Sequence, residues 1–544
     1  AWLAGELSAI RRELLPPGES RALYLALDQG GTSSRAVLFD SLGREVAAAH
    51  VPINTRRTGD DRVEHDAAEL LQSLRIAAHD VAESPLATGR PLVAAGLATQ
   101  RSTICCWDRI DGTPLSPAIS WQDRRNAAWL DEHLGTRSGW VRELTGLPLS
   151  SHYGASKMRW CLDELPAVQL ALRDGRLCIG PLASFLAQGL CAADEACADP
   201  ANASRTLLFD PAVLDWSPPL LEAFGIPAAV LPRCVGTLHD FGRVPVDAAR
   251  SAPLLACSGD QSAAIFAFGP PSTTTAYVNA GTGAFVQRVL RDSAGAAPRG
   301  LLKSVLFART DDAAGALYCH EGTINGAYAA LEWLGKRVGV AVRRALKTLS
   351  ASLAGGEVPL PFMNGIGGLG APYWLPDFQS EFLVAAGAAT PNVDDATELQ
   401  QIGAVVESIA FLIAVNVLTM HRATPLQRLT ITGGLAACDY LCEVLAEVTQ
   451  LPVARPTLLE ATSRGIAYLA AGQPSDWQPI PIDKSFAPTG QHPVLDRFDD
   501  PRRRVTRAEV VLEERRTLFA VRLERVVEGG EDGWVVSWPV HLVE

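Results

Sequence analysis

A chain of 544 residues, 48% apolar and 20% charged, has enough apolar side chains for two or three domains with substantial cores. Its 60 acidic residues against 48 basic ones give a formal net charge of −12, which repels phosphate backbones and anionic lipid and makes nucleic acid or a membrane surface poor first expectations. Apolar runs such as Ser408 to Leu418 fall short of the roughly 20 residues that cross a bilayer, so no membrane span is expected.

In chain order, Leu3, Leu7, Ile10 and Leu14 fall at helical spacing and predict an appended helix, ended by Pro16-Pro17-Gly18. Glu6, Ser8, Arg11, Arg12 and Glu13 interrupt it, so it does not read as an export signal, and a cytoplasmic location is expected. From Leu23 to Leu27 the pattern becomes that of a strand, followed by a polar turn from Asp28 to Arg35 and a returning strand from Ala36 to Phe39. Ala67 to Val81 reads as a helix and Leu92 to Ala98 as a strand, an α/β alternation. The opening pattern recurs in the second half, where Thr275 to Asn279 leads into Ala280-Gly281-Thr282-Gly283 and returns through Ala284-Phe285-Val286, which implies two similar halves. A helix over Leu399 to His421 and a strand over Leu429 to Thr432 follow, then Gly433-Gly434. Beyond Gln473 the chain is rich in Pro and charge, with strand-like alternation over Thr517 to Val526 and Trp534 to Val543 that carries no functional reading. The 11 cysteines include no CxxC, and the 10 histidines show neither HxxxH nor HExxH; buried free thiols and no structural zinc are expected.

The turn Asp28-Gln29-Gly30-Gly31-Thr32-Ser33-Ser34-Arg35 has what a nucleotide phosphate needs: adjacent glycines whose N–H groups can share one concavity, hydroxyl donors, and an acid at the strand end for a metal. An ordinary Gly-rich hairpin reads the same way. Asp260, in Ser258-Gly259-Asp260-Gln261, stands at a strand-to-helix turn, where a carboxylate can take the proton of an attacking hydroxyl or merely cap the helix. Gln100-Arg101-Ser102-Thr103 and Trp121-Gln122-Asp123-Arg124-Arg125 each follow a strand-like run, so their polar groups can meet at one cleft edge, with salt bridges the plainer role for the arginines. Gly365-Ile366-Gly367-Gly368-Leu369-Gly370 matches GxGxxG but runs into Ala371-Pro372-Tyr373-Trp374, where a dinucleotide loop would open a helix; it reads as a flexible loop near the cleft. No GxxxxGK[ST] loop is present. Asn202-Ala203-Ser204 matches a glycosylation acceptor by chance.

Together with Val63-Glu64-His65-Asp66 and Asn202-Ala203-Ser204-Arg205-Thr206, these segments resemble the FGGY carbohydrate kinases and, among them, the glycerol kinases, from about Leu23 to Gly472. The resemblance implies an α/β fold of two ribonuclease-H-like domains of the actin/hexokinase type flanking a cleft. The expected division is an extension over 1–21, an N-terminal domain over 22–268, a C-terminal domain over 269–475 and a tail over 476–544. It implies phosphorylation of a hydroxyl of a small polyol or sugar by ATP with Mg²⁺, glycerol being the first candidate. Asp260 would be the base, and Asp28 with Asp260 would hold the metal. Gly31, Thr32, Ser33, Arg35, Gly281, Thr282, Gly433 and Gly434 would contact ATP, and Arg101, Ser102, Trp121, His152, Asp260, Gln261 and Phe285 the acceptor. Three departures stand out: Ser102 where the family carries Glu, His152 where it carries Tyr five residues before Lys157, and the turn Thr432-Gly433-Gly434-Leu435 where it carries Asp-Gly-Gly-Ala. Loss of that carboxylate points to weaker glycerol binding or to another polyol or ketose, while Ser102, His152 and Leu435 together raise the alternative of a catalytically weak sugar- or nucleotide-binding homologue, against which the retained Asp28 and Asp260 speak. An actin- or chaperone-like ATPase would share the fold without the Gln-Arg and Trp-Gln-Asp segments. Assembly into homo-oligomers is left open. Phe241 to Asp247 lacks the run of glycines through which some bacterial relatives bind fructose 1,6-bisphosphate.

Overall fold

The first apolar run forms the central strand of a sheet in the computed structural model, which describes residues 21–59, 61–292, 297–309, 312–339, 342–354, 358–382, 396–458, 460–491, 494–495, 522–528 and 531–537. This strand, β1 (Leu23–Gln29), pairs antiparallel with β2 (Ser33–Phe39), which pairs antiparallel with β3 (Glu45–Pro52). On its other side β1 runs parallel to β4 (Leu92–Thr99), and β4 runs parallel to β5 (Ser251–Gly259). The second half repeats the plan. There β6 (Thr275–Ala280) pairs antiparallel with β7 (Ala284–Leu290) and β7 with β8 (Asp312–Ile324), while β6 runs parallel to β9 (Arg428–Thr432) and β9 to β10 (Val453–Pro456). The orders β3-β2-β1-β4-β5 and β8-β7-β6-β9-β10 are thus the same, each within a larger sheet. The central parallel strands are apolar along nearly their whole length because helices cover both faces.

Two long helices begin where the sequence supplies caps. The Asp66 side chain accepts from the N–H groups of Ala68 and Glu69 to open α1 (Ala67–Ala82). A capping box of Thr397 and Gln400 opens the helix Glu398–Ala423. That helix is long and apolar enough to cross a bilayer, but 78% of its most apolar window is buried within the structure, where it packs on the second sheet.

The two halves meet through the helices that follow their fifth strands, α2 (Asp260–Ile265) after β5 and α3 (Ala461–Ala470) after β10. They cross at Gly465, where a Cβ would stand 1.8 Å from the Ala263 carbonyl oxygen, a separation only glycine permits. Helix α3 also lies on β1, β4 and β5, so a late segment of the chain covers the sheet that begins it. Arg464 clasps this junction: its Nε donates to the Gly43 carbonyl at 3.1 Å, Nη2 to that of Gln478 at 2.7 Å and Nη1 to that of Ala267.

Some expectations change and others hold. Pairing of Asp28 with Arg35 and of Gln29 with Ser34 carries both strands into the expected turn and shortens it to Gly30–Thr32. The stretch beyond Gln473 is partly integral: Trp477 packs against Tyr24, Phe39 and Tyr468, and Ile482–Phe486 extends the second sheet beside β10. Further on, Arg522–Glu528 pairs antiparallel with Glu531–Ser537. The Gly365–Gly370 segment is held, the Asn325 amide donating to the carbonyls of Gly367 and Gly368 at 2.9 and 3.2 Å, and among the described residues no helix opens directly from it. The Asn202 side chain is buried and bonded to Asp199, out of reach of a glycosyl donor. All 11 cysteines are free thiols. The expected helix before Ser20 and the charged run Asp499 to Arg504 lie outside the described residues.

Candidate active site

The two Gly-rich turns are held from behind in the same way. After β1, the Thr32 carbonyl accepts from the Ile53 N–H at 3.1 Å and that of Gly31 from the Thr55 hydroxyl at 3.3 Å. After β6, the Gly281 carbonyl accepts from the Tyr328 N–H at 3.0 Å, and that of Thr282 from Ala327 and Ala329 at 3.2 and 3.1 Å. In a trans peptide the N–H points opposite to the carbonyl, so the N–H groups of Thr32, Ser33, Thr282 and Gly283 face the other way, as an anion requires. Gly31, Thr32 and Thr282 are exposed, whereas Ser33 is buried. Gly433 presses on the end of β6, with room for a Cβ denied by the Ala280 carbonyl oxygen at 2.5 Å, and Gly434 opens on free space.

Acidic groups gather at the strand ends below these turns. Asp28, on β1, is buried, and its carboxyl is pushed from 3.8 up to about 7 by burial and then by the neighbouring charge of Asp260, against the opposing pull of Arg35. Asp260, the first residue of α2, is likewise raised by burial and opposed by Arg101. Its side chain does not cap the helix; Oδ1 accepts from the N–H of Gln261 at 2.7 Å. Among the described residues no group of three or more His, Cys, Asp or Glu is placed to hold a metal. Arg35 lies 3.9 Å from Asp28 and is ion-paired to Glu460, so it would exchange that partner to meet a phosphate.

Three of the residues expected to meet the acceptor stand on loops tied to one buried side-chain amine. Lys157 Nζ donates to the carbonyls of Ser102, Ser120 and His152 at 3.1, 2.8 and 2.7 Å, fixing the three loops that carry Ser102, Trp121 and His152. The Thr103 hydroxyl adds a bond from the Trp121 N–H at 3.1 Å. Ser102 is held at φ 63°, in the left-handed region, and its buried hydroxyl has no partner within the protein. His152 meets Trp121 edge to face at 5.7 Å and Tyr153 at 5.0 Å; burial and the surrounding Lys157, Arg124, Arg205 and Arg101 hold its ring neutral. Gln261 accepts from the Asn279 amide at 3.3 Å, and Phe285 pairs in register with Asn279 and Thr323. Arg125 has the structural role, bonded to Asp123 and Glu64. Arg101 instead reaches Glu321 of β8 with both terminal nitrogens.

Glu321, Arg205, Glu460 and Lys157 had no assigned role in the sequence. A carboxylate and a glycine inside the apolar run Leu317 to Ile324 was the one signal for the first of them.

Two ribonuclease-H-like halves, a phosphate-type turn from each and a carboxylate between them define a phosphotransferase. More particularly, the chain belongs to the FGGY family of carbohydrate kinases, whose N-terminal domain matches residues 23–267 and whose C-terminal domain matches residues 276–473. A glycerol kinase of Bordetella parapertussis is 33% identical over 465 residues, covering 84% of this chain and 89% of that protein. Among solved structures, a glycerol kinase of Plasmodium falciparum with ADP superposes with a TM-score of 0.78 at 22% identity, covering 86% of this chain and 94% of that one. A xylulose kinase of Rhodospirillum rubrum superposes with a TM-score of 0.74 at 20% identity, covering 87% and 96%. The chain is an ATP-dependent sugar or polyol kinase.

Proposed function

We propose that the chain phosphorylates a terminal hydroxyl of glycerol or a closely related polyol, with Asp260 as the base that receives the hydroxyl proton. The observation that carries this reading is the pairing of Asp260 with Arg101, 3.8 Å away, beside the Lys157-tied loops bearing Ser102, Trp121 and His152. ATP lies along the two Gly-rich turns, its phosphates against the N–H groups of Thr32, Ser33, Thr282 and Gly283, and its adenosine towards Gly433 and Gly434. A buried pair of carboxylates with raised proton affinity suits a hard cation that takes its remaining ligands from phosphate, so Asp28 and Asp260 would hold Mg²⁺. When bound, that ion offsets charge on the transferring phosphoryl oxygens.

A second reading concerns the acceptor alone. The small side chain and unpartnered hydroxyl of Ser102 favour a longer polyol or ketose over glycerol. The test is ATP turnover across glycerol, longer polyols and ketoses, for the parent and for Asp260→Asn. Turnover with at least one acceptor is expected, falling by about 10²–10⁴ in the variant while ATP still binds. Turnover of the variant within a few-fold of the parent would sink the assignment of the base.

A further inference from the structure

The acceptor side of the cleft contains a buried ion cluster that joins the two halves. Arg101 Nη1 and Nη2 donate to Glu321 Oε1 and Oε2 at 2.8 and 3.1 Å, Arg205 Nη2 donates to Oε2, and the Cys319 thiol donates to Oε1 at 3.1 Å. Arg101 follows β4 and Arg205 stands in the short helix Ser204–Thr206, both in the first half, whereas Glu321 comes from β8 of the second. Each Glu321 oxygen accepts two donors, so the carboxylate is committed to the protein and not to an acceptor hydroxyl. The remaining guanidinium edge of Arg101 faces Asp260, with Nε 3.8 Å from Oδ1.

The route of Arg101 is fixed from a second side. Its Cγ and Cδ lie 2.5 and 2.4 Å from where a Cβ of Gly259 would stand, so the side chain crosses the backbone immediately before Asp260. Glycine is required there by close approach. Two guanidinium groups against Glu321 and Asp260 leave the cluster near neutral, and each Arg–Glu contact is a charge-assisted bond in a water-excluded place.

We propose that Glu321 is a positioning residue for phosphoryl transfer: it reaches across from the second half to hold Arg101 over Gly259, and so sets where Arg101 meets the acceptor and Asp260. This rests on the reading of Arg101 as an acceptor contact. Because the hold comes from the opposite half, the acceptor-binding geometry is complete only when β8 lies against the first half.

The test is a double-mutant cycle of Arg101→Gln and Glu321→Gln on the full chain, scored as kcat/KM for the best acceptor and as KM for ATP. Glu321→Gln is expected to lower acceptor kcat/KM by about tenfold or more and to leave KM for ATP within about twofold. The double variant is expected to be no worse than Arg101→Gln alone, since Glu321 acts through Arg101. Gly259→Ala, which displaces Arg101 from below, should reproduce the acceptor defect without touching Glu321. Where Glu321→Gln gives no folded protein, Glu321→Asp enters the same cycle, keeping the charge but withdrawing it by one methylene. Effects that multiply in the double variant, or that raise KM for ATP and acceptor alike, would mean a merely structural role and overturn the inference. A parent chain without turnover on any acceptor would overturn the acceptor reading itself, and this inference with it.

Discussion

Asp28 keeps, in the folded chain, a proton that the unfolded chain releases above about pH 4, because burial and then Asp260 push its carboxyl up to about 7. The metal-free protein therefore loses stability through this group as pH rises from about 4 to about 7, and a cation competing with that proton restores stability above the window. The rise in melting temperature on adding Mg²⁺ is expected to be larger at about pH 8 than at about pH 6. An equal rise at both would remove Asp28 from the metal's ligands. At the acceptor, Ser102→Glu combined with His152→Tyr is expected to move the ratio of kcat/KM for glycerol against the best other acceptor towards glycerol. A bidentate contact regained in a closed cleft is worth about 1–3 kcal/mol, or ten- to hundredfold. An unchanged ratio would mean that these positions are neutral. Both residues could be read from the sequence because they interrupt recognisable motifs. Glu321 could not, since its chemistry depends on Arg101 and Arg205, 220 and 116 positions away, and no local pattern encodes that meeting.

The repeat of strand, Gly-rich turn and strand was legible at the scale of elements because period-two alternation and paired glycines mark it directly. Its length was not: the pairing of Asp28 with Arg35 lies in polar residues that alternation cannot assign to a strand. Nor was the crossing of α2 and α3, because a single glycine within a helical pattern signals nothing by itself. Gly465→Ala tests that crossing. Its methyl carbon would meet the Ala263 carbonyl oxygen at 1.8 Å, so the helices must separate, at a cost of about 1–3 kcal/mol or more. A lower melting temperature together with a lower kcat is expected, since α2 begins at Asp260. Unchanged melting and turnover would show that the helices separate freely. Within the segment from Phe241 to Asp247, the Gly242 N–H donates to Asp240, and Arg243–Pro245 pairs along β5 at the edge of the first sheet.

Two halves of like topology suggest two independent folding units, but across the whole molecule the chain path argues otherwise. Helix α3 and Trp477 come late in the sequence yet pack with Ala26, Val37, Phe39, Ala94 and Ala98 of the first sheet, in a cluster that also takes in Tyr277 and Val289 of the second. A common core melts as one, so calorimetry of the full chain is expected to show a single transition, and residues 22–268 expressed alone are expected not to fold stably. Two resolved transitions would refute this.

The clasp of Arg464 bears on which changes the chain can inherit. The cation is satisfied by the carbonyl oxygens of Gly43, Ala267 and Gln478, which every residue type possesses. The side chain of the exposed Gln478 can therefore drift without loosening it, whereas Ala267 is fully buried and Gly43 is held at φ 73° with a Cβ there only 2.4 Å from the Trp477 ring. Insertion or deletion of one residue in any of the three segments would move a carbonyl by about 3.8 Å and break the clasp. Lineages descended from this sequence should vary at 478, keep glycine at 43, and hardly change in length across the three segments.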